Sequence, residues 1–233
     1  MGERKLFKKV RLEDYNYLVA KEEPLSQVTE ELQKVIINLE YANVDKKYQV
    51  IQFTSTMAGE GKTTLIGNLG YLLKERRKKV ILLDLDLRRP KINRVFNVPN
   101  DKGLTNYLLD QIDEKQLIRK SEEFNIDYII CGEKTSAISN ILSSDKLENL
   151  INKLRENYDY ILIDSPPVLA VSDALMIAKL SDGIIYTIAY NKASKKAVKE
   201  GIKNLTKTET PIIGTVLTQV NKKGKNTYYN YYE

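Results

Sequence analysis

The chain has 233 residues, of which 42% are hydrophobic, so it is long enough and apolar enough to form one α/β domain with a buried core. The sequence contains no histidine and one cysteine, Cys131, which excludes histidine-based catalysis, a disulfide framework and a cysteine zinc site. The net charge of +6 is spread over several lysine-rich stretches, and these are more typical of solvated helix faces than of a nucleic-acid interface.

The N-terminal region, residues 1–46, has no strand periodicity and is predicted to form an arm that contains one helix. The stretch LSQVTEELQKVIINLEYA (25–42) places apolar residues at steps of three and four, which is typical of an amphipathic helix. The predicted apolar face consists of Leu25, Val28, Leu32, Val35 and Leu39.

Residues 47–220 alternate short β-rich runs with helical stretches. Strands are predicted at 48–55, 79–87, 126–131, 158–164, 183–190 and 211–220, and helices near 62–77, 104–110, 144–157, 172–180 and 194–207. The strands are nearly continuous runs of Ile, Val and Leu, which indicates that both faces of the sheet are buried. We therefore expect a single α/β domain with a mostly parallel central sheet and helices on both faces.

The first strand is followed by TSTMAGEGKTT (54–64), which opens a helix. Gly59 and Gly61 allow the backbone to wrap closely, so that successive amides point at phosphate oxygens, while Lys62 reaches the β- and γ-phosphates and Thr63 binds Mg²⁺. The match to the G-x-x-x-x-G-K-[ST] pattern is partial because its first glycine falls at Thr56. The predicted nucleotide-binding residues are Gly59, Glu60, Gly61, Lys62, Thr63 and Thr64.

Three aspartates follow apolar strands at the edge where parallel sheets bind ligands. KVILLDLDLRRP contains Asp84 and Asp86, which lie two residues apart and are therefore expected on one face of the strand. YDYILID ends in Asp164, the Walker B arrangement in which a carboxylate reaches Mg²⁺ directly or through water. One such aspartate is commonly a turn residue, but three beside a phosphate loop favour a Mg²⁺–nucleotide site.

The last segment, 221–233, is polar and is predicted to be a flexible tail. It ends in YYNYYE, whereas the tyrosine content of the chain predicts about 0.4 tyrosines in six residues. The four tyrosines are Tyr228, Tyr229, Tyr231 and Tyr232. Taken alone, this cluster fits a sticky chain end as well as it fits a functional segment.

No apolar run approaches the roughly 20 residues that a membrane-spanning helix needs. The first residues, MGERKLFKKVRLEDY, are charged and have no apolar core of a signal peptide. We therefore expect a cytoplasmic protein that associates with the membrane peripherally, through charge or a partner.

The combination of AGEGKTT, DLDLRRP, YDYILIDSPP and a terminal tyrosine cluster resembles the cytoplasmic bacterial tyrosine kinases (BY-kinases) of capsule and exopolysaccharide synthesis, which carry Walker A, A′ and B motifs. The resemblance covers the chain from about residue 25 to its end. It implies a P-loop NTPase-like fold, ATP and Mg²⁺ as ligands, and autophosphorylation of the tyrosine cluster in trans. It also implies self-association, other tyrosine-containing substrates, and activation by a transmembrane partner of the polysaccharide co-polymerase type.

The same resemblance implies roles for individual residues. Lys62 stabilises the transferred phosphoryl group, Asp84 accepts the proton of the incoming tyrosine, and Asp86 assists. The metal is held by Thr63, Asp84 and Asp164, and Arg88 contacts a phosphate or the acceptor. The phosphoacceptors are Tyr228, Tyr229, Tyr231 and Tyr232.

Several positions depart from the family pattern. Met57 stands where related ATPases carry an extra lysine, and Thr218 stands where an asparagine commonly contacts the base. The helical E-x-x-R-x-x-R motif, which helps to build a ring of subunits, aligns with Glu30, Gln33 and Ile36, so both of its arginines are missing.

Two other functions compete with the kinase. A MinD/ParA-type ATPase that acts in positioning or partitioning shares the phosphate loop and the paired aspartates. Its membrane variant needs an amphipathic C-terminal helix, and KKGKNTYYNYYE has no apolar stripe. A catalytically inactive regulator is disfavoured because the lysine, the threonine and the three aspartates are all present.

Overall fold

A computed structural model describes residues 18–44 and 46–220. The strands are β1 (Val50–Ser55), β2 (Val80–Asp84), β3 (Arg119–Ser121), β4 (Ile126–Ile129), β5 (Tyr160–Asp164), β6 (Gly183–Ala189) and β7 (Ile212–Thr218). They form one sheet in the order β3-β4-β2-β5-β1-β6-β7, and every pairing is parallel except that of β3 with β4. The predicted mostly parallel α/β sheet is confirmed.

Ten α-helices are present in the described part of the chain. They are α1 (Val19–Glu22), α2 (Gln27–Ala42), α3 (Lys62–Glu75), α4 (Ile92–Val95), α5 (Leu104–Leu108), α6 (Glu114–Leu117), α7 (Ile138–Leu142), α8 (Asp145–Asn157), α9 (Asp173–Ala178) and α10 (Lys195–Leu205). A 3₁₀ turn, Thr206–Thr208, follows α10.

Alternate residues of the central strands pack into two hydrophobic cores, one on each face of the sheet. Phe53 and Leu82 pack with α2, α3 and α4 on one face of the sheet. Leu83 and Ile163 pack with α5 to α9 on the other face. This alternation follows from the two-residue period of a strand, and it confirms the expectation of helices on both faces.

The N-terminal helix α2 is packed onto the sheet domain, but its buried face differs from the predicted one. Ser26 accepts a hydrogen bond from the Thr29 amide (3.3 Å) and caps the helix, so Leu25 lies outside it and is 93% exposed. Val28 is 53% exposed. The prediction was therefore wrong for these two residues. The buried positions are Thr29, Leu32, Ile36 and Leu39.

Other differences lie at element boundaries. The predicted strand 79–87 ends at Asp84, because the Asp84 carboxylate accepts hydrogen bonds from the amides of Lys91 and Ile92 and the chain turns there. The edge strand β3 was not predicted, since its sequence RKS is short and polar and only its pairing with β4 makes it a strand. The short helices α1, α4, α6 and α7 were also missed.

Candidate active site

The candidate site lies where the central strands end. β5 lies between β1 and β2, and in this register Asp164 is paired with both Phe53 and Asp84. The phosphate loop follows β1 and leads into α3, which begins at Lys62. The parallel order therefore brings the Walker A, A′ and B segments to one edge of the sheet, as the motifs predicted.

The phosphate loop has the backbone conformation that its glycines allow. Gly59 and Gly61 have φ values of 75° and 82°, in the left-handed region that other residues rarely adopt. Such turns orient successive N–H groups toward one point, and the N-terminus of α3 adds the positive end of its dipole. The loop is therefore shaped to bind an anion.

The buried Glu60 side chain stabilises this loop through hydrogen bonds from backbone amides. It has no exposed surface, and the carboxylate accepts hydrogen bonds from the amides of Met57 (2.7 Å) and Ala189 (3.2 Å). The carboxylate thereby ties the loop to the end of β6. Glu60 stays in the predicted nucleotide-binding set through its backbone, while its side chain has a structural role that the sequence motif does not reveal.

Lys62 is buried at the start of α3, where its Nζ donates a hydrogen bond to Ser55 Oγ (3.0 Å). Burial lowers the pKa of the ammonium group, because the charged form loses hydration, and the nearby carboxylates of Asp164 and Asp86 oppose this shift. A phosphate group next to Lys62 would favour the charged form further. The lysine is therefore positioned as a cation for an anionic ligand.

The three predicted aspartates lie close enough to affect one another. Asp84 has no exposed surface, and its pKa is raised well above the usual range by burial and by the neighbouring Asp164 carboxylate. Burial also raises the pKa of Asp164, to about 6, although Lys62 and a hydrogen bond from Thr63 oppose the shift. Burial raises the pKa of Asp86 as well, and its carboxylate accepts the Arg89 amide (3.1 Å). Such a cluster favours a bound cation.

The donor set fits Mg²⁺. Thr63 Oγ1 donates to Asp164 Oδ2 (2.5 Å), while Asp164 Oδ1 is buried and accepts no hydrogen bond from the residues that the structure describes. Within 18–44 and 46–220, no group of three His, Cys, Asp or Glu side chains forms a metal site. Mg²⁺ is commonly bound by one or two protein ligands together with phosphate oxygens and water. Thr63 and Asp164 would hold the ion.

Arg88 is engaged in an ion pair that the sequence did not indicate. Its Nε and one terminal nitrogen donate to the two oxygens of Asp173 (2.7 and 3.2 Å). The Asp173 side chain is only 2% exposed, whereas that of Arg88 is 46% exposed. The pair fixes the Arg88 guanidinium beside Asp86 and the start of α9. Its predicted contact with a phosphate or acceptor stays a prediction.

The residues at the end of β7 contact the phosphate loop. Thr218, at the predicted base-contact position, donates its hydroxyl hydrogen to the carbonyl oxygen of Glu60 (2.8 Å). Gln219 Nε2 donates to the carbonyl oxygen of Gly59 (2.9 Å), and Lys192 Nζ donates to the same oxygen (2.7 Å). Lys192 and Gln219 lie more than 130 residues from the loop in sequence, and no motif marks them.

The predicted phosphoacceptors Tyr228, Tyr229, Tyr231 and Tyr232 lie outside the described residues. Among the helices of the described segments, none is long and apolar enough to cross a membrane.

Comparisons with known proteins add to this geometry. The AAA domain family profile matches residues 48–223. The tyrosine-protein kinase YwqD of Bacillus subtilis is 31% identical over 215 residues, which cover 92% of this chain and 90% of that protein.

Solved structures point the same way. The crystal structure of the chimerical protein CapA2B2 superposes with a TM-score of 0.85 and 29% identity, over 89% of this chain and 92% of that one. MinD from Pyrococcus horikoshii, complexed with Mg-ADP, is more distant. Its TM-score is 0.62 at 25% identity, over 72% and 69% of the two chains. Overall similarity therefore favours the kinase-like proteins over the MinD-like ones.

Proposed function

The chain contains an AAA domain and belongs to the bacterial tyrosine-protein kinases, and we propose that it transfers the γ-phosphoryl group of ATP to tyrosine hydroxyls, including those of its own C-terminal cluster. The observation that supports this most directly is the Thr63–Asp164 hydrogen bond beside Lys62. It joins the Walker A and Walker B segments through the two side chains that hold Mg²⁺ in P-loop phosphoryl-transfer sites, which supports the proposal. MinD/ParA-type activity is the weaker alternative, because the likeness to MinD is lower in both coverage and TM-score.

The phosphate loop and Lys62 bind and orient the substrate ATP in this proposal. Loop amides receive the phosphate oxygens, and the Lys62 ammonium offsets the charge that develops as the phosphoryl group leaves ADP. Thr63 and Asp164, with Asp84 nearby, would hold Mg²⁺, which supplies additional charge neutralisation when bound. Because this chemistry depends mainly on positioning, a rigid buried site is well suited to it.

Asp84 and Asp86 are the candidate proton acceptors. The phenol oxygen bonds to the γ-phosphorus as the bond from that phosphorus to the ADP oxygen breaks, and the phenol proton passes to a carboxylate. A tyrosine hydroxyl has a pKa near 10, so a carboxylate with a raised pKa is a better acceptor than an ordinary one. Burial raises the pKa of both carboxyls; Asp84 ends β2 and has no exposed surface, and Asp86 keeps 9% of its surface accessible. We assign acceptance of the proton to Asp84 and an assisting role to Asp86.

Trans phosphorylation requires that two copies meet. At the family's ring-motif positions, Ile36 is fully buried, and Gln33 accepts a hydrogen bond from Arg76 (3.2 Å) within the same chain. On α2, Ile37 and Tyr41 are instead exposed, by 40% and 73%. We propose that copies associate through this part of α2 without the arginine contacts of the family motif.

A transmembrane activator is also part of the proposal. The resemblance to kinases of capsule and exopolysaccharide synthesis supports a partner whose cytoplasmic segment stimulates the enzyme and holds it at the membrane. The role would be the regulation of polysaccharide production.

The test is incubation of the purified chain with ATP and Mg²⁺, with and without a cytoplasmic fragment of a candidate activator, followed by phosphotyrosine mapping by mass spectrometry. We expect phosphate on residues 228–232 and no such label after the four tail tyrosines are changed to phenylalanine. ATP hydrolysis without tyrosine label under both conditions would contradict the kinase proposal and favour a MinD-like ATPase.

A further inference from the structure

Two long side chains, Lys192 after β6 and Gln219 after β7, donate hydrogen bonds to the outward side of the phosphate loop. When loop amides point inward toward a phosphate, the carbonyl groups of the same peptides point outward and need donors. The Gly59 carbonyl oxygen receives two donors, Lys192 Nζ at 2.7 Å and Gln219 Nε2 at 2.9 Å. We propose that Lys192 and Gln219 form a clamp that keeps the loop in its phosphate-binding conformation and thereby sets the affinity for ATP.

The clamp holds the glycine peptide at which the loop can most easily leave its phosphate-binding conformation. Gly59 has a positive φ of 75°, and a glycine peptide has many alternative conformations. Two donors on its carbonyl oxygen oppose rotation of the peptide, which would turn the following amide away from the phosphate site. A Cβ atom at Gly59 would lie 2.6 Å from Lys192 Nζ, so the lysine amine lies directly against this residue.

The backbone has an unfavourable conformation at both clamp positions. Asn191, next to Lys192, has φ 55°, and Gln219 has φ 56°; both are non-glycine residues in the left-handed region. Each turn directs one side chain back to the Gly59 carbonyl from a strand end, β6 for Lys192 and β7 for Gln219. Unfavourable backbone angles persist where the surrounding contacts over-determine them, and these two occur in the two segments that donate to the same acceptor.

Charge gives Lys192 a second effect. Its ammonium group lies at the phosphate loop, against Gly59. Lys192 is exposed and bonds to a neutral carbonyl, so its charge remains available to attract a nucleotide. We therefore assign Lys192 as a positioning residue, and not a catalytic one, for the ATP that the proposed function requires.

The experiment measures binding separately from phosphoryl transfer. The dissociation constant of a non-hydrolysable ATP analogue with Mg²⁺ is measured by calorimetry for wild type, Lys192→Met, Lys192→Arg, Gln219→Ala and the matched control Lys195→Met. Lys195 is an exposed lysine in the first turn of α10 and carries the same charge. Phosphorylation kinetics give kcat and KM for ATP, and thermal unfolding without nucleotide reports on the fold.

We expect Lys192→Met to weaken binding about tenfold, the scale of one charge-assisted hydrogen bond, and to raise KM by a similar factor with kcat within about threefold. Lys192→Arg should recover most of the affinity, and Lys195→Met should change it less than twofold. Gln219→Ala should weaken binding about threefold and, when combined with Lys192→Met, should be non-additive because both donors share one acceptor.

Two results would overturn the clamp. One is wild-type affinity in Lys192→Met; the other is an equal loss in Lys192→Met and Lys195→Met, which would indicate only diffuse electrostatic attraction. Because the binding readout does not depend on tyrosine phosphorylation, the clamp and the kinase function can fail separately.

Discussion

The central strands and the β6–β7 flank contribute to the site in different ways. Every residue of β1, β2 and β5 is buried; β2 and β5 end in Asp84 and Asp164, and the phosphate loop after β1 leads to Lys62. The residues of β7 are half-buried or exposed, and this strand and the turn after β6 contact the phosphate loop through hydrogen bonds to its carbonyl groups. The groups of the proposed chemistry are thus fixed by a buried core, while the shape of the loop depends on individual, partly exposed contacts.

The largest effect should follow from loss of the central cation. Lys62→Met should reduce tyrosine phosphorylation by at least about 10³-fold, because it removes the buried ammonium that offsets phosphoryl charge. The melting temperature without nucleotide should stay within a few degrees, since burial already disfavours the charged lysine. Lys203→Met, an exposed change on α10, is the control and should remain active. Surviving phosphorylation in Lys62→Met would show that the phosphate loop is wrongly assigned.

The two regions should also differ in stability. Leu162 on β5 is fully buried and Leu217 on β7 is 55% exposed, so they form a matched pair. Leu162→Ala should lower the free energy of unfolding by about 2–5 kcal/mol, whereas Leu217→Ala should change it by less than about 0.5 kcal/mol. Urea unfolding followed by circular dichroism measures both. Equal losses would mean that the flank is as tightly packed as the centre.

The aspartate cluster predicts a pH dependence in the absence of Mg²⁺ and nucleotide. Asp164 has a pKa of about 6 in the folded chain against 3.8 ordinarily. Between those values the folded state binds the extra proton, so stability falls as pH rises through this window and the loss is complete above about pH 6. The loss is on the order of 2–3 kcal/mol.

Asp164→Asn removes this titration and gives the control. The variant should gain stability relative to wild type as pH rises from about 4 to 6, and added Mg²⁺ should stabilise only the wild type. Chemical unfolding at a series of pH values measures the difference between the two proteins. A difference that does not change with pH would contradict the assigned burial of this carboxylate.

A smaller effect is expected at the flank. Thr218→Val removes the hydrogen bond to the Glu60 carbonyl and should weaken ATP binding about threefold to tenfold, because one neutral hydrogen bond contributes roughly 0.5–1.5 kcal/mol. Thr215→Val, an exposed change on the same strand, should leave binding unaltered. Calorimetry with Mg²⁺ and an ATP analogue compares the two. If both variants bind as wild type does, the flank does not influence the loop.

The arrangement of the central strands β1, β2 and β5 could be predicted from the sequence better than the contacts made by β6 and β7. Local patterns reveal apolar strands, glycines and strand-end aspartates, so the parallel sheet and the meeting of Lys62, Asp84 and Asp164 followed from motifs. Contacts between distant segments leave no such pattern. The partner of Arg88, Asp173, could not be recognised before the fold was known.

The same limit explains the errors. Periodicity alone counted Leu25 within α2, whereas the N-cap Ser26 starts the helix after it. Val28 lies inside α2 and is exposed because the helix packs through Thr29, Leu32, Ile36 and Leu39. The short polar segment β3 forms a strand because it pairs with β4, and its own sequence does not indicate one. The support that Glu60, Lys192 and Gln219 give to the loop depends on side chains meeting across the sheet.

The central claim, that one copy phosphorylates the tail of another, is tested most directly by mixing two variants. One is Lys62→Met with an intact tail. The other keeps Lys62 but has phenylalanine at its four tail tyrosines, Tyr228, Tyr229, Tyr231 and Tyr232. With ATP, Mg²⁺ and the activator fragment, we predict phosphotyrosine on the tail of the Lys62→Met chain. ATP turnover by the mixture with no phosphate on that tail would contradict the account.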